Sequence, residues 1–220
     1  MSMLVRRVGR CPYESVWDEM IRFTDARRED APDELWFVEH DPVYTFGRAG
    51  RPEHLLAPQD IPVVRSDRGG QITYHGPGQL IAYVLFDLNR RGIGPRELVW
   101  RLEEAIIRLL ADCHLEGERR AKAPGVYVGG AKIAALGLRI RRGCSYHGLA
   151  LNCDLDLGPF AGIDPCGYPG LEVTSLARLG VMFDWEAASR RLEPQLLDLL
   201  AAEDEAGASR SRRVAGGPSR

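Results

Sequence analysis

The chain has 220 residues, 45% of them hydrophobic and 27% charged, with a formal net charge of −2. That is the composition of a soluble globular protein large enough to bury roughly 70% of its unfolded surface without disulfide staples. A charge so near zero gives no global attraction to nucleic acid or membrane, the N-terminus lacks a signal-peptide core, and no apolar run approaches the ~20 residues of a membrane span.

Apolar residues at Tyr13, Val16, Trp17, Met20 and Ile21 predict a helix over residues 12–27, with Pro12 in its first turn. Strands are predicted over residues 34–40 and 43–46, separated by Asp41-Pro42, and residues 51–60 read as a polar surface loop. Residues 72–74 form a short strand, His75-Gly-Pro-Gly78 a tight turn, and residues 80–88 a strand buried on both faces. Residues 95–115 carry the clearest amphipathic stripe, from Leu98 to Cys113. After a polar loop, residues 125–128 and 132–140 make a hairpin around Gly129-Gly130, and residues 145–155 a further strand. A Pro- and Gly-rich loop spans 158–170. Asp184 caps a last helix that Pro194 is expected to kink or split, and the polar residues from 203 onward are expected to be disordered. Strands outnumber helices and several are joined by hairpins, which predicts an α+β single domain, residues 1–203, with a mixed, largely antiparallel sheet and packed helices, followed by a tail over 204–220.

The stretch Arg68-Gly-Gly-Gln-Ile-Thr-Tyr-His-Gly-Pro-Gly-Gln79 sets four glycines among β-branched and aromatic residues. Gly69 and Gly70 let a ligand approach the backbone, and Arg68, Thr73 and His75 offer donors or protons beside it. An ordinary hairpin is the competing reading. Lys122 and Lys132 are the only lysines among 29 basic residues. Lys132 lies in an apolar strand, where burial lowers an ammonium pKa and fits it for proton transfer; a solvent-facing edge lysine is the alternative. Cys166 sits in the loop Asp164-Pro-Cys-Gly-Tyr168, as a reactive thiol or a stray one. Cys144 is its rival, Cys11 and Cys113 read as structural, and Cys144, His147 and Cys153 make no more than part of a zinc site, so no metal is expected. His40 and His147 read as structural histidines. Five cysteines without paired spacing fit a reducing cytoplasm.

Five blocks taken in order resemble the octanoyl-carrier-protein:protein N-octanoyltransferases of lipoate biosynthesis. They are Glu39 to Arg48 with Glu53-His-Leu-Leu56, the glycine-rich stretch, Lys132 with Ala135-Leu-Gly137, His147-Gly-Leu-Ala150, and Pro165-Cys-Gly167. The resemblance implies a biotin/lipoate protein ligase-like fold. It implies Cys166 as nucleophile and Lys132 as the residue that lowers its pKa. Substrate contacts fall on Arg68, Gly69, Gly70, Gln71, Ile72, Thr73, Tyr74 and His75, on Ala135, Leu136 and Gly137, and on Gly148, Leu149 and Ala150. It further implies octanoyl-acyl carrier protein as donor and, as acceptors, lipoyl domains of 2-oxoacid dehydrogenases and the glycine-cleavage carrier protein, with no cofactor. An ATP-dependent lipoate–protein ligase on the same fold and a non-catalytic acyl-carrier-binding module are the alternatives.

Overall fold

A computed structural model describes residues 3–168 and 170–202, apart from the Cys166 side chain. The predicted tail over 204–220 and the last residue of the predicted domain lie outside the described residues.

Strands β1 (Met3–Cys11), β2 (Asp33–His40), β6 (Gln79–Leu85), β7 (Glu118–Arg119), β8 (Gly125–Val128), β9 (Ala131–Arg141) and β10 (Cys144–Asn152) form one seven-stranded sheet. Its order is β1-β2-β6-β10-β9-β8-β7. Within this sheet, among the described residues, only the β1–β2 pair is parallel, the two strands being joined by helix α1 (Tyr13–Ala26). Strands β3 (Val43–Phe46), β4 (Val63–Arg65) and β5 (Ile72–His75) form a second sheet, ordered β4-β3-β5.

Strand β6 shows why the large sheet is covered on both sides. Successive side chains of a strand point to opposite faces. Leu80, Ala82 and Val84 pack with α3 (Pro95–Asp112) and α4 (Trp185–Ala201), whose Leu102, Ile106, Leu192 and Leu196 are fully buried. Ile81, Tyr83 and Leu85 pack with Val16 and Met20 of α1. Each of these leucine, isoleucine, valine and methionine side chains contributes about 1.5–3 kcal/mol when fully buried.

Three expectations are corrected. Strand β1 was not predicted: three arginines in nine residues hide it, and the same arginines suit an edge strand that must not recruit another chain. Pro194 does not split α4. It is exposed, as is Arg190, whose carbonyl loses its helical donor on the solvent side, while Leu192 and Leu196 anchor both halves in the core. The turn after β5 closes no hairpin. Strand β5 belongs to the small sheet and β6 to the large one, so Gly76-Pro-Gly78 carries the chain between them. Gly78 makes that crossing possible. Its φ is +84°, and a Cβ there would lie 2.2 Å from the Asp154 carbonyl oxygen. In addition, the predicted strand to residue 88 ends at Leu85, and Leu88–Arg91 form a short helix, α2, capped by Asp87.

Candidate active site

The glycine-rich stretch leaves β4, crosses the edge of β9 and enters β5. Gly69 N–H donates to the Leu138 carbonyl at 2.9 Å. A Cβ on Gly137 would approach the Gly69 carbonyl oxygen to 2.9 Å, and one on Gly47 would meet the Gly70 carbonyl oxygen at 2.3 Å. Glycines therefore sit where three backbones touch. Arg68 is buried and knits the turn from within: Nε donates to Thr45 Oγ1 at 3.0 Å, and its terminal nitrogens to the carbonyls of Thr45, Gly69 and Gln71.

Under this stretch lies a cavity of about 50 Å³. Its walls bring together Arg68, Gly70, Gln71, Ile72, Thr73 and His75 with Ala135, Leu136 and Gly137 of β9 and Gly148, Leu149 and Ala150 of β10. The antiparallel register pairs Gly148 with Gly137 and Ala150 with Ala135, so two small-residue pairs form the floor. Gly69 instead borders an adjoining groove of about 410 Å³. Tyr74 borders neither; its ring packs with Tyr44 and Phe160 in the core of the small sheet. Gly70, Gln71, Leu136 and Gly137 are walls of both hollows.

Lys132 borders the groove. It is not an edge lysine: β9 lies between β10 and β8, and Lys132 is 3% exposed. Its Nζ donates to the Pro124 carbonyl at 3.1 Å and sits 5.1 Å from the centre of the Tyr127 ring. Its backbone N–H donates to Glu172 O and its carbonyl accepts from Thr174 N–H. Lys122, the other lysine, borders the same groove. Cys166 belongs to the short turn Pro165–Gly167, and Tyr168 just after it borders the groove. Asp164 N–H donates to the His54 carbonyl, and a Cβ on Gly167 would be 3.2 Å from the Gln71 side chain.

A wall of neutral aromatic and imidazole rings backs the cavity. Tyr13 stacks on His75, His75 meets His40, His40 meets Tyr83, and Tyr83 meets His147. Burial pushes His75 down to about 3 and His40 down to about 4. His75, read from sequence as a proton carrier, is therefore neutral at pH 7 and fixed by Gln79 at 2.7 Å. Burial also lowers His147, against the opposing pull of Asp67. Burial would raise Asp67, but hydrogen bonds from His147, Tyr146 and Trp17 hold it at about 2. His147, Tyr13, Ile81 and Tyr83 are the cavity residues that sequence reasoning missed. His147-Gly148 was legible as a motif, whereas Tyr13 comes from a helix distant in sequence.

Two expected outcomes follow from these contacts. A histidine whose folded pKa is depressed takes up its proton first in the unfolded chain, so stability is full above about 6.5 and falls as pH drops towards the folded value. Between pH 6.5 and 4 the protein is expected to lose stability on the order of several kcal/mol, read by urea unfolding across pH, with a shallower slope in His75→Gln. Equal stability at pH 7 and 4.5 would contradict the burial of neutral imidazoles. Gly148→Ala places a Cβ 2.0 Å from the Ala82 carbonyl oxygen of the paired strand. It is expected to cost about 1–3 kcal/mol or more, as for other overpacked cores, and an unchanged urea midpoint would rule the close packing out.

Cys153 is buried, and burial pushes its thiol up to about 12; burial also raises Cys144, Cys11 and Cys113. Among the described residues, no three His, Cys, Asp or Glu side chains converge as a metal site would need.

The profile of the lipoyl protein ligase A/B catalytic domain matches residues 12–196, which hold the cavity, the groove and the Cys166 turn. The chain belongs to that family. It is 60% identical to an octanoyltransferase of Thiobacillus denitrificans over 195 residues, covering 89% of each chain. It is 58% identical to an octanoyltransferase of an Azoarcus species, covering 91% of this chain and 88% of that one. Its fold is also that of a bipartite lipoate protein ligase from Thermoplasma acidophilum, with a TM-score of 0.68, 17% identity, and coverage of 97% of this chain and 92% of that one. The biotin/lipoate ligase-like fold expected from the resemblance is the one observed.

Proposed function

We propose that this protein transfers an octanoyl group from octanoyl-acyl carrier protein to a lysine of lipoyl domains, through a thioester on Cys166, as the first step of lipoate synthesis. The observation that carries the reading is the junction of the two hollows. Gly167 of the Cys166 turn packs on Gln71, which walls both, and the segment just after it is hydrogen-bonded to Lys132. An apolar slot, a loop thiol and a buried lysine are what acyl transfer between a thiol and an amine requires.

The inner cavity takes the far end of the eight-carbon chain, whose carbonyl end lies in the groove beside Lys132, and the groove admits the carrier's thiol-bearing arm and then the acceptor lysine. The Cys166 thiolate attacks the thioester carbonyl, and backbone N–H groups of the glycine-rich stretch or of Leu136 and Gly137 receive the developing oxyanion. The C–S bond to the carrier breaks, and its sulfur leaves with a proton from Lys132. The acceptor amine then attacks the acyl-enzyme, Lys132 takes the proton the amine must lose, and the Cys166 thiolate departs. Acceptors are lipoyl domains of 2-oxoacid dehydrogenases and the glycine-cleavage carrier protein, and the setting is cytoplasmic. Among the described residues, no helix is long and apolar enough to cross a membrane.

Arginines near the mouth support an acidic partner, with one correction. The sequence carries arginine clusters at Arg90-Arg91 and Arg139 to Arg142 that read as exposed patches for an acidic carrier, but Arg90 and Arg91 converge with Arg27 on the buried carboxylate of Asp33, at 2.7, 3.1 and 2.5 Å. Arg141 pairs with Asp25 at 3.0 Å. Three guanidinium groups around one carboxylate still leave positive charge beside the β9–β10 turn. Turnover at limiting carrier is expected to fall as salt rises, because the screening length shrinks from ~10 Å at 0.1 M to ~3 Å at 1 M. A flat response would point to apolar docking. The activity itself is tested by mixing the protein with octanoyl carrier protein and a lipoyl domain without ATP. Octanoylation of the domain supports the proposal, and a strict need for ATP would replace it with a ligase reaction.

A further inference from the structure

His147 is held in an unusual way. It lies inside strand β10 yet has φ +60°, a left-handed conformation uncommon for any residue but glycine. Such strain persists where the surroundings over-determine a side chain's position. Here the surroundings are identifiable. The ring stacks on Tyr146 with centroids 5.0 Å apart and meets Tyr83 edge-on at 6.0 Å. Its Nε2 lies 2.9 Å from Asp67 Oδ1. Asp67 is itself held by Trp17 Nε1 at 2.8 Å and by the Tyr146 hydroxyl.

That arrangement fixes the tautomer. Asp67 is a carboxylate and can only accept, so Nε2 carries the hydrogen. Burial keeps the ring neutral at pH 7, which leaves Nδ1 with a bare lone pair. Nδ1 is buried and finds no hydrogen-bond partner among the described residues. Other polar groups of the same wall are matched to one another: His40 Nε2 with the Tyr83 hydroxyl, the Tyr13 hydroxyl with Ser66, and His75 Nδ1 with Gln79. A buried acceptor of this kind calls for a donor.

His147 borders the inner cavity and not the groove that holds Lys132. Along the β9–β10 ladder it pairs with Leu138, whereas Lys132 Nζ lies against Gly125, the β8 partner of Ala135, so the two levels are three residues or ~10 Å of strand apart at 3.3 Å per residue. The acyl carbonyl belongs near Lys132, so His147 stands towards the other end of the chain.

We propose that His147 is a specificity-determining residue, whose Nδ1 accepts a hydrogen bond at the far end of the acyl slot and so selects the length and terminal polarity of the chain. The inference rests on the acyl-slot reading above. A water molecule that donates to Nδ1 is the donor beyond an octanoyl methyl group, and a longer alkyl chain must displace it without replacing its bond. A chain with a terminal hydroxyl supplies the donor itself.

Three thioesters of equal length test this: nonanoyl, 8-hydroxyoctanoyl and 7-methoxyheptanoyl, each compared with octanoyl in transfer to a lipoyl domain. The hydroxyl chain can donate, the methoxy chain is polar but cannot, and the nonanoyl chain is apolar. Wild-type protein is expected to transfer the hydroxyl chain about tenfold or more faster than the methoxy chain, the ratio one neutral hydrogen bond sustains. In His147→Phe, which keeps an aromatic ring between Tyr146 and Tyr83, that ratio is expected to collapse to near one while nonanoyl transfer rises relative to octanoyl. Equal handling of the hydroxyl and methoxy chains by the wild type would overturn the proposal, whether or not His147→Phe folds. Failure to transfer octanoyl at all would instead overturn the acyl-transfer reading on which it rests.

Discussion

Cys166→Ala is expected to abolish the octanoyl adduct and reduce transfer to background, while Cys144→Ala retains both. The contrast rests on local environment. Cys144 is buried and burial raises its thiol, as it does for Cys153, which is pushed up to about 12. Thiols so placed are poor nucleophiles at neutral pH. Cys166 is carried instead on a turn bound by Asp164 and Gly167 to the His54 and Gln71 region, with the following segment tied to Lys132. Losing a covalent nucleophile removes the whole two-step route and not a fraction of it. An adduct that survives in Cys166→Ala, found by intact mass spectrometry, would transfer the nucleophile's role to another residue.

Lys132→Arg is expected to be nearly inactive although it keeps a positive charge. Arginine can favour a thiolate, but it stays protonated at any working pH and cannot shuttle a proton. Space opposes it too. A Cβ built on Gly125 would lie 3.0 Å from Lys132 Cε and 3.1 Å from Nζ, so the ammonium rests against backbone on that side, where a wider planar head does not fit without shifting. Loss of a positioned general base typically costs ~10²–10⁴-fold. The second half-reaction is expected to suffer more, since the acceptor amine must lose a proton there. Single-turnover mass spectrometry separates the two: the adduct accumulates in Lys132→Arg while the lipoyl domain stays unmodified. Wild-type transfer in this variant would reduce Lys132 to a structural cation.

Much of this site could be read from the chain because its chemistry is local. Gly69, Gly137 and Gly148 announce close backbone approach by lacking a side chain, and each lies within a short contiguous motif. The long strand of β6 was legible from its unbroken apolar run, and α3 from its stripe. What escaped was non-local. Strand β1 exists because β2 offers it a parallel edge, which nothing in its own arginine-rich sequence requires. The turn at Gly76-Pro-Gly78 has hairpin chemistry, but its strands join different sheets because β5 pairs with β3 and β6 with β2 and β10. His75 looked like a proton carrier because burial, which makes it neutral, is set by Tyr13, His40 and Gln79 from three other elements. Arg90 and Arg91 looked like a docking patch until Asp33, distant in sequence, gathered them.

The most direct test of the account follows one octanoyl group through both half-reactions. The full chain is mixed with octanoyl carrier protein without ATP, freed of the carrier, and then given a lipoyl domain, with intact masses taken through time. The account predicts one octanoyl mass on the protein, mapped to Cys166, which disappears at the rate at which the domain's lysine gains it. Octanoylation of the domain with no adduct ever formed, or an adduct that the domain cannot discharge, would contradict transfer through a Cys166 thioester.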